Sequence, residues 1–190
     1  MKYLKYLLGI ITLLVILFIV KGVLSPTISY SSEVIVDKSI EEAWAVMNDE
    51  SKTSQWLKGI TTIEHIDGEK GTVDAVTKYT FNEDGQESTI FETIKAITPN
   101  KHIAMDFVME GVMNMDYEIN FAQEEGKTLI KSSTLTKGDG MIMRSMISFM
   151  QGAMQAQEDE NMNNLKKLIE ENATDYFPTP AIDPVEIEQE

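Results

Sequence analysis

No cysteine occurs among the 190 residues, which excludes disulfides, thiolate nucleophiles and Cys-ligated metal sites. That absence fits either side of a membrane and selects no compartment. Basic residues are scarce, with 16 Lys and Arg against 31 Asp and Glu. The first 24 residues hold Lys2, Lys5 and Lys21 and no acid, so Ser25–Glu190 sets 13 bases against 31 acids, a net charge of −18. Phosphate backbones are bound through Lys and Arg, so this surface argues against nucleic acid as a partner. His65 and His102 lack metal-ligand spacing to a second histidine or acid pair, and they read as strand-end surface residues. There is no G-x-S-x-G elbow and no phosphate-cradling glycine loop, since Gly138-Asp139-Gly140 is more simply a helix entry. Neither an internal repeat nor a low-complexity tract is present, and nothing in the sequence calls for a cofactor or a metal.

What is present begins with an apolar run. Leu7–Val20 is uninterrupted by charge, and Leu4–Leu24 reaches the ~20 residues that span a hydrocarbon core. Its Leu, Ile, Val and Phe side chains, at roughly −0.5 kcal/mol each, contribute about −5 to −6 kcal/mol of insertion free energy. Lys5 and Lys21 lie near the ends, where they can snorkel. The alternative is a cleaved signal peptide, but Lys21-Gly22-Val23-Leu24 is a poor cleavage site. Lys2, Lys5 and the N-terminal amine predict an inside N-terminus and an outside domain, with Lys21 on the far flank weighing against it.

After a short linker at Ser25-Pro26, Ser29–Asp37 reads as a strand. Ser39-Ile40-Glu41-Glu42 is a capping box, followed by a helical face of Ile40, Ala43, Trp44 and Met47. A second short helix is expected over Lys52–Trp56. Six strands follow at roughly Ile60–Ile66, Thr72–Phe81, Glu87–Ile97, His102–Gly111, Asn114–Gln123 and Thr128–Thr136, with turn chemistry between them. Ile103, Met105, Phe107 and Met109 alternate with polar or small residues, as do Met115, Tyr117, Ile119 and Phe121. Val73, Ala75, Tyr79 and Phe81 join that apolar set. Such alternation predicts an antiparallel sheet with one buried and one wet face.

Gly140–Asn172 has helical periodicity. Met143, Met150, Met154, Leu165 and Leu168 form one stripe, with Asp139 as its N-cap and Asn172 closing the end in a left-handed conformation. One helix must therefore serve as the second wall of a core built by strands. Asn161 breaks the centre of the stripe, with Gln157 and Glu158 at its edges, which suggests a water-filled or ligand-filled space. Gly152, at ~1 kcal/mol against Ala, hints at a kink or a close approach. Twelve methionines, six of them on this helix, serve either as core filler or as a pliable wall for hydrophobic ligands. Residues 173–190 are acidic and proline-containing, and read as a disordered tail.

The order of strand, two small helices, six strands and a long helix resembles the START-like (SRPBCC) superfamily, and within it the polyketide cyclase/dehydrase-like group. The match begins at Glu33-Val34-Ile35-Val36-Asp37-Lys38-Ser39-Ile40-Glu41-Glu42-Ala43-Trp44 and continues at Gln55-Trp56-Leu57. Thr98-Pro99-Asn100-Lys101 is similar to the family's turn before the fifth strand, and Asn164-Leu165-Lys166-Lys167-Leu168 to the close of its last helix. The resemblance covers Ser29 to about Asn172 and implies an α+β helix-grip fold, a curved antiparallel sheet wrapped around the long helix. It further implies an elongated apolar cavity that binds lipids, sterols or polyketides, and some members are enzymes. The Met-rich helix and the apolar N-terminus depart from the family pattern.

Together these readings make residues 1–24 a transmembrane helix and 25–172 a membrane-anchored domain that binds a hydrophobic small molecule or lipid. The expected lining is Trp56, Tyr79, Glu92, Met105, Phe107, Met109, Met115, Tyr117, Phe121, Met150, Met154 and Asn161. Glu92 has two readings. Ile90, Ile94 and Ala96 favour a register that turns it inward, where burial would raise its pKa. The opposite register buries Phe91 and Ile97 and leaves Glu92 in water. Two other functions stay open: a cyclase-, dehydratase- or hydrolase-type enzyme, for which no catalytic set is visible, and a non-catalytic interaction module with an acidic surface.

Overall fold

The computed structural model describes residues 2–83 and 85–178. An apolar helix, α1 (Lys2–Leu24), leads into β1 (Thr27–Val36) and α2 (Ile40–Met47), then a 3-10 turn (Glu50–Lys52) and α3 (Thr53–Trp56). Six strands follow: β2 (Ile60–Asp67), β3 (Val76–Glu83), β4 (Gln86–Thr98), β5 (His102–Met109), β6 (Met113–Glu124) and β7 (Lys127–Gly138). The last element is α4 (Gly140–Glu170). At ~1.5 Å per residue, its 31 residues make a rod of about 46 Å.

The seven strands form one antiparallel sheet in the order β1-β7-β6-β5-β4-β3-β2, so the family-type helix-grip architecture is present. Local chemistry accounts for the element starts. Ser39 Oγ accepts from Glu42 N at 3.2 Å and caps α2, as the capping box predicts. Asn100 takes φ 61° in the turn between β4 and β5, a conformation asparagine tolerates better than most residues. The register slips between Ile94 and Ala96 against β5, a bulge that bends the strand and helps curve the sheet.

Three expectations need correction. Thr72–Ala75 is not strand: Asp74 sits at φ 67° in a turn that leaves Val73 47% exposed, while Ala75 is buried. Asn172 does not cap α4 in a left-handed conformation. Glu171 holds the cap position, and Asn172 is a clasp, accepting from Lys52 Nζ at 2.6 Å and donating to Glu42 Oε1 at 3.2 Å. Gly152 makes no close approach, as nothing lies near where a side chain would begin. Beyond the clasp, Tyr176 donates to Asp49 Oδ2 at 2.7 Å and lies under Lys52 Nζ. The rest of the acidic tail, 179–190, lies outside the described residues.

The core is solid at one end. Val36, Ala43, Val46, Ile119, Ile130, Met162, Leu165 and Ile169 are almost fully buried where α2, α3 and the last turns of α4 meet the sheet. Each such Val, Leu, Ile or Met side chain stabilises the fold by ~1.5–3 kcal/mol relative to exposure. Edge strand β1 is covered by α4, whose Gln151 and Gln155 donate side-chain amides to the carbonyls of Ser29 and Ser31 at 3.1 and 2.8 Å. A free strand edge is thereby converted into a helix contact.

Candidate functional site

The inner face of the sheet follows from the ladder registers. Tyr79 pairs with Ile90, Glu92 with Phe107, Ile94 with Met105, and Phe107 with Met115. Tyr117 then pairs with Thr134, and Thr134 with Tyr30. Directly paired residues share a face, so these side chains all line the concavity. Toward the α2 end the face is filled: Met105, Ile119 and Phe121 are buried, and Phe121 meets Trp44 edge-on at 5.3 Å. Toward the turn between β5 and β6 it is open, with Tyr79, Phe107, Met109, Met115 and Tyr117 only half-buried. The concave face is thus packed at one end and partly exposed at the other.

Two tyrosine–carboxylate pairs stand in it. Glu92 faces inward, because its ladder partner Phe107 does, and it accepts from Tyr79 OH at 3.2 Å. Burial lifts its carboxyl to about 7, against the opposing hydrogen bond from Tyr79, because desolvation penalises the charged form. Burial also pushes the Tyr79 hydroxyl far up, and the charge of Glu92 adds to that.

The second pair is centred on Glu158 of α4, only 7% exposed. It accepts from Tyr117 OH at 2.9 Å and, over a shorter contact, from Ser132 Oγ. Its carboxyl too is raised by burial, in spite of both hydrogen bonds. Tyr117 is driven well above the usual phenol range by burial and by the charge of Glu158. Beside it, Tyr30 accepts from Thr136 Oγ1 at 3.4 Å and points its own hydroxyl at Met115 Sδ, 3.8 Å away. Thr134 Oγ1, on a residue 5% exposed, lies beside the Tyr30 hydroxyl and makes no well-formed hydrogen bond among the described residues. Phe107 packs edge-on against Tyr117 at 5.8 Å and so stands between the two polar centres. An apolar wall with two buried carboxyls, each hydrogen-bonded to a tyrosine, can hold a mostly hydrophobic molecule that carries a few polar groups.

The sequence-predicted lining divides into groups. Tyr79, Glu92, Phe107, Met109, Met115 and Tyr117 come together in the groove. Trp56, Met105 and Phe121 sit in the packed core, although Trp56 Nε1 is buried without a partner. Met154 is half-buried on α4. Met150 does not face the sheet: it is 48% exposed and lies with Phe18, Met146 and Phe149 against α1. Asn161 is paired with Gln157 along the helix surface at 3.1 Å. The polar break in the inward face is real, but the residue that makes it is Glu158. Tyr30, Ser132, Thr134 and Thr136 join the cluster around it, and nothing in the alternation of β1 and β7 marks them apart from other strand residues. An open depression of about 570 Å³ lies along β1, β7 and β6, lined by Ser29, Asp116, Glu118 and Ser133 and also by Tyr30 and Thr134 of the cluster. Among the described residues, no cluster of His, Asp or Glu is arranged to hold a metal.

Residues 27–170 match the family model described as polyketide cyclase/dehydrase and lipid transport. The chain belongs to that family. Its members' fold recurs in solved structures of low identity, which speak to fold alone. The Zhui aromatase/cyclase from Streptomyces sp. R1128 aligns at TM-score 0.63 and 11% identity, over 76% of this chain and 94% of that one. Ara h 8.0201 aligns at TM-score 0.58 and 16% identity, over 77% and 99%. Protein SA2116 from Staphylococcus aureus aligns at TM-score 0.59 and 13% identity, over 76% and 94%. No curated protein sequence matches significantly. The family region begins after α1, whose Tyr3–Leu24 stretch is long and apolar enough to cross a membrane. A signal sequence passes the same test.

Proposed function

We propose that this family member is a membrane-anchored binding protein for a hydrophobic small molecule or lipid held in the groove between the sheet and α4. The observation that carries the reading is the half-open concave face itself. Its walls are Phe107, Met109 and Met115, and Tyr79–Glu92 and Tyr117–Glu158 supply its polar points. Burying apolar ligand surface there contributes ~25 cal/mol per Å². The Thr134 hydroxyl and the two carboxyls orient the ligand's polar atoms. In this reading α1 is retained as an anchor. Lys2 and Lys5 keep the N-terminus inside, so the acidic domain stands outside. Protease added to intact cells stripped of any outer wall should then remove the domain, and protection until lysis would reverse the topology.

An enzymatic reading on the same groove is favoured by one observation, the raised carboxyl of Glu92 with its tyrosine partner. A group titrating near neutrality is suited to general acid–base work. The binding reading needs fewer groups and uses all those present. The test is native mass spectrometry of the full chain released from lipid discs. Wild type should carry a stoichiometric hydrophobic molecule of unchanged mass across preparations. Phe107→Arg, at a half-buried position, should lose it while keeping its circular dichroism. A wild-type chain released with nothing bound would contradict the proposal, and recovery of a chemically altered ligand would favour the enzyme.

A further inference from the structure

The first three turns of α4 carry an apolar face that the sheet does not use. Met141, Ile142, Met146, Phe149 and Met150 are all exposed, Ile142 at 63% and Phe149 at 61%. The buried positions of the same turns are Ser145, Ile147 and Ser148, and the end of α1 covers Ser145 and Ser148. The exposed apolar side chains flank that contact. Phe149 stacks parallel on Phe18 at 5.7 Å, and Lys21 Nζ stands 5.6 Å from the Phe149 ring. Ser148 Oγ donates to Ser25 O at 2.7 Å. Gly22 abuts Ser145 so closely that a side chain at Gly22 would collide with the Ser145 backbone. The two helices are therefore held together at the last turns of α1, leaving an apolar slot of about 400 Å³ bounded by Phe18, Met146, Phe149 and Met150.

Phe18 fixes the level of this contact. It lies inside the charge-free run Leu7–Val20 and three residues before Lys21, which is ~4–5 Å of helix rise toward the hydrocarbon. If α1 crosses a bilayer, a ring stacked on Phe18 is at the hydrocarbon boundary as well. We infer that the start of α4 is seated in the same membrane leaflet, with Ile142, Met146, Phe149 and Met150 among the acyl chains and lipid hydrocarbon filling the slot beside Phe18. The inference rests on the anchor reading of α1 and extends it: the domain is held at two points and lies on the membrane rather than swinging on a tether. Amphipathic helices bind interfaces in this way, with the apolar face ~5–10 Å deep. Water contact would leave this patch as an exposed apolar surface of the kind soluble domains avoid.

Because the chain has no cysteine, single cysteines can be labelled without background. Full-length Ile142→Cys, Val15→Cys and Lys127→Cys are each coupled to an environment-sensitive fluorophore and placed in phosphatidylcholine vesicles with a nitroxide quencher near the glycerol. A second set carries the quencher deep in the acyl chain. The probe at Val15 should be quenched best by the deep quencher and that at Ile142 best by the shallow one. Lys127, at the opposite end of β7, should lose no fluorescence with either. Adding Met146→Asp and Phe149→Asp should abolish quenching at Ile142 and leave Val15 unchanged. Quenching at Val15 with none at Ile142 overturns the seating while the anchor stands, and no quenching at Val15 overturns both.

Discussion

Glu92 is the residue on which pH acts most directly. Its folded carboxyl titrates at about 7, above the glutamate range of an unfolded chain. A group raised on folding binds its proton more tightly in the native state. Its contribution is complete below the unfolded pKa and is lost as pH climbs through about 7. The size is on the order of 3 kcal/mol, since each factor of ten in proton affinity is ~1.36 kcal/mol. Urea unfolding at pH 5 and pH 8 should show lower stability at pH 8, and Glu92→Gln should remove much of the difference. An unchanged difference in that variant would mean Glu92 is hydrated in the native state. Glu158, raised by burial too, shifts stability in the same direction and leaves a residual slope. The inward turn of Glu92 was half legible: Ile90 and Ile94 pointed to it, but Phe91 and Ile97 gave an equally apolar alternative. Its pairing with Phe107 decides the matter, and pairing is a property of two strands. Glu158 was less legible, because its partners Tyr117 and Ser132 are remote in sequence and each looks ordinary on its own strand.

At the scale of elements, α4 is two helices in one. Its C-terminal half closes the core through Met162, Leu165 and Ile169, while its N-terminal half shares its exposed face with α1. This explains why the strands could be read from alternation but the phase of α4 could not. The apolar face of the helix changes partner midway, so a single stripe places Met150 toward the sheet and Glu158 only at the edge of the polar break. Ser145 and Ser148 are buried against the end of α1, with their hydroxyls satisfied by the carbonyls of Met141 and Ser25. Truncating Met162, which is fully buried, to alanine should cost ~2–5 kcal/mol through the cavity it leaves. Met150→Ala should cost under ~1 kcal/mol in the detergent-solubilised full chain. Thermal unfolding of the two variants measures this, and equal losses would show that Met150 is core after all.

For the whole molecule, the arrangement combines an apolar helix, a grip domain with a half-open concave face, and an acidic exterior. The strand order, the caps and the family match specify the frame. The position of the groove came instead from which half of the concavity the helices leave uncovered. The central claim is that a hydrophobic molecule occupies that half. A photoactivatable hydrophobic probe, cross-linked to the full chain in membranes and mapped by peptide mass spectrometry, tests it at residue resolution. The account predicts adducts on Phe107, Met109, Met115 or Tyr117, reduced when Phe107 is replaced by Arg. Adducts confined to α1 and the first turns of α4, with none on β5 or β6, would show that the sheet's concave face holds no ligand.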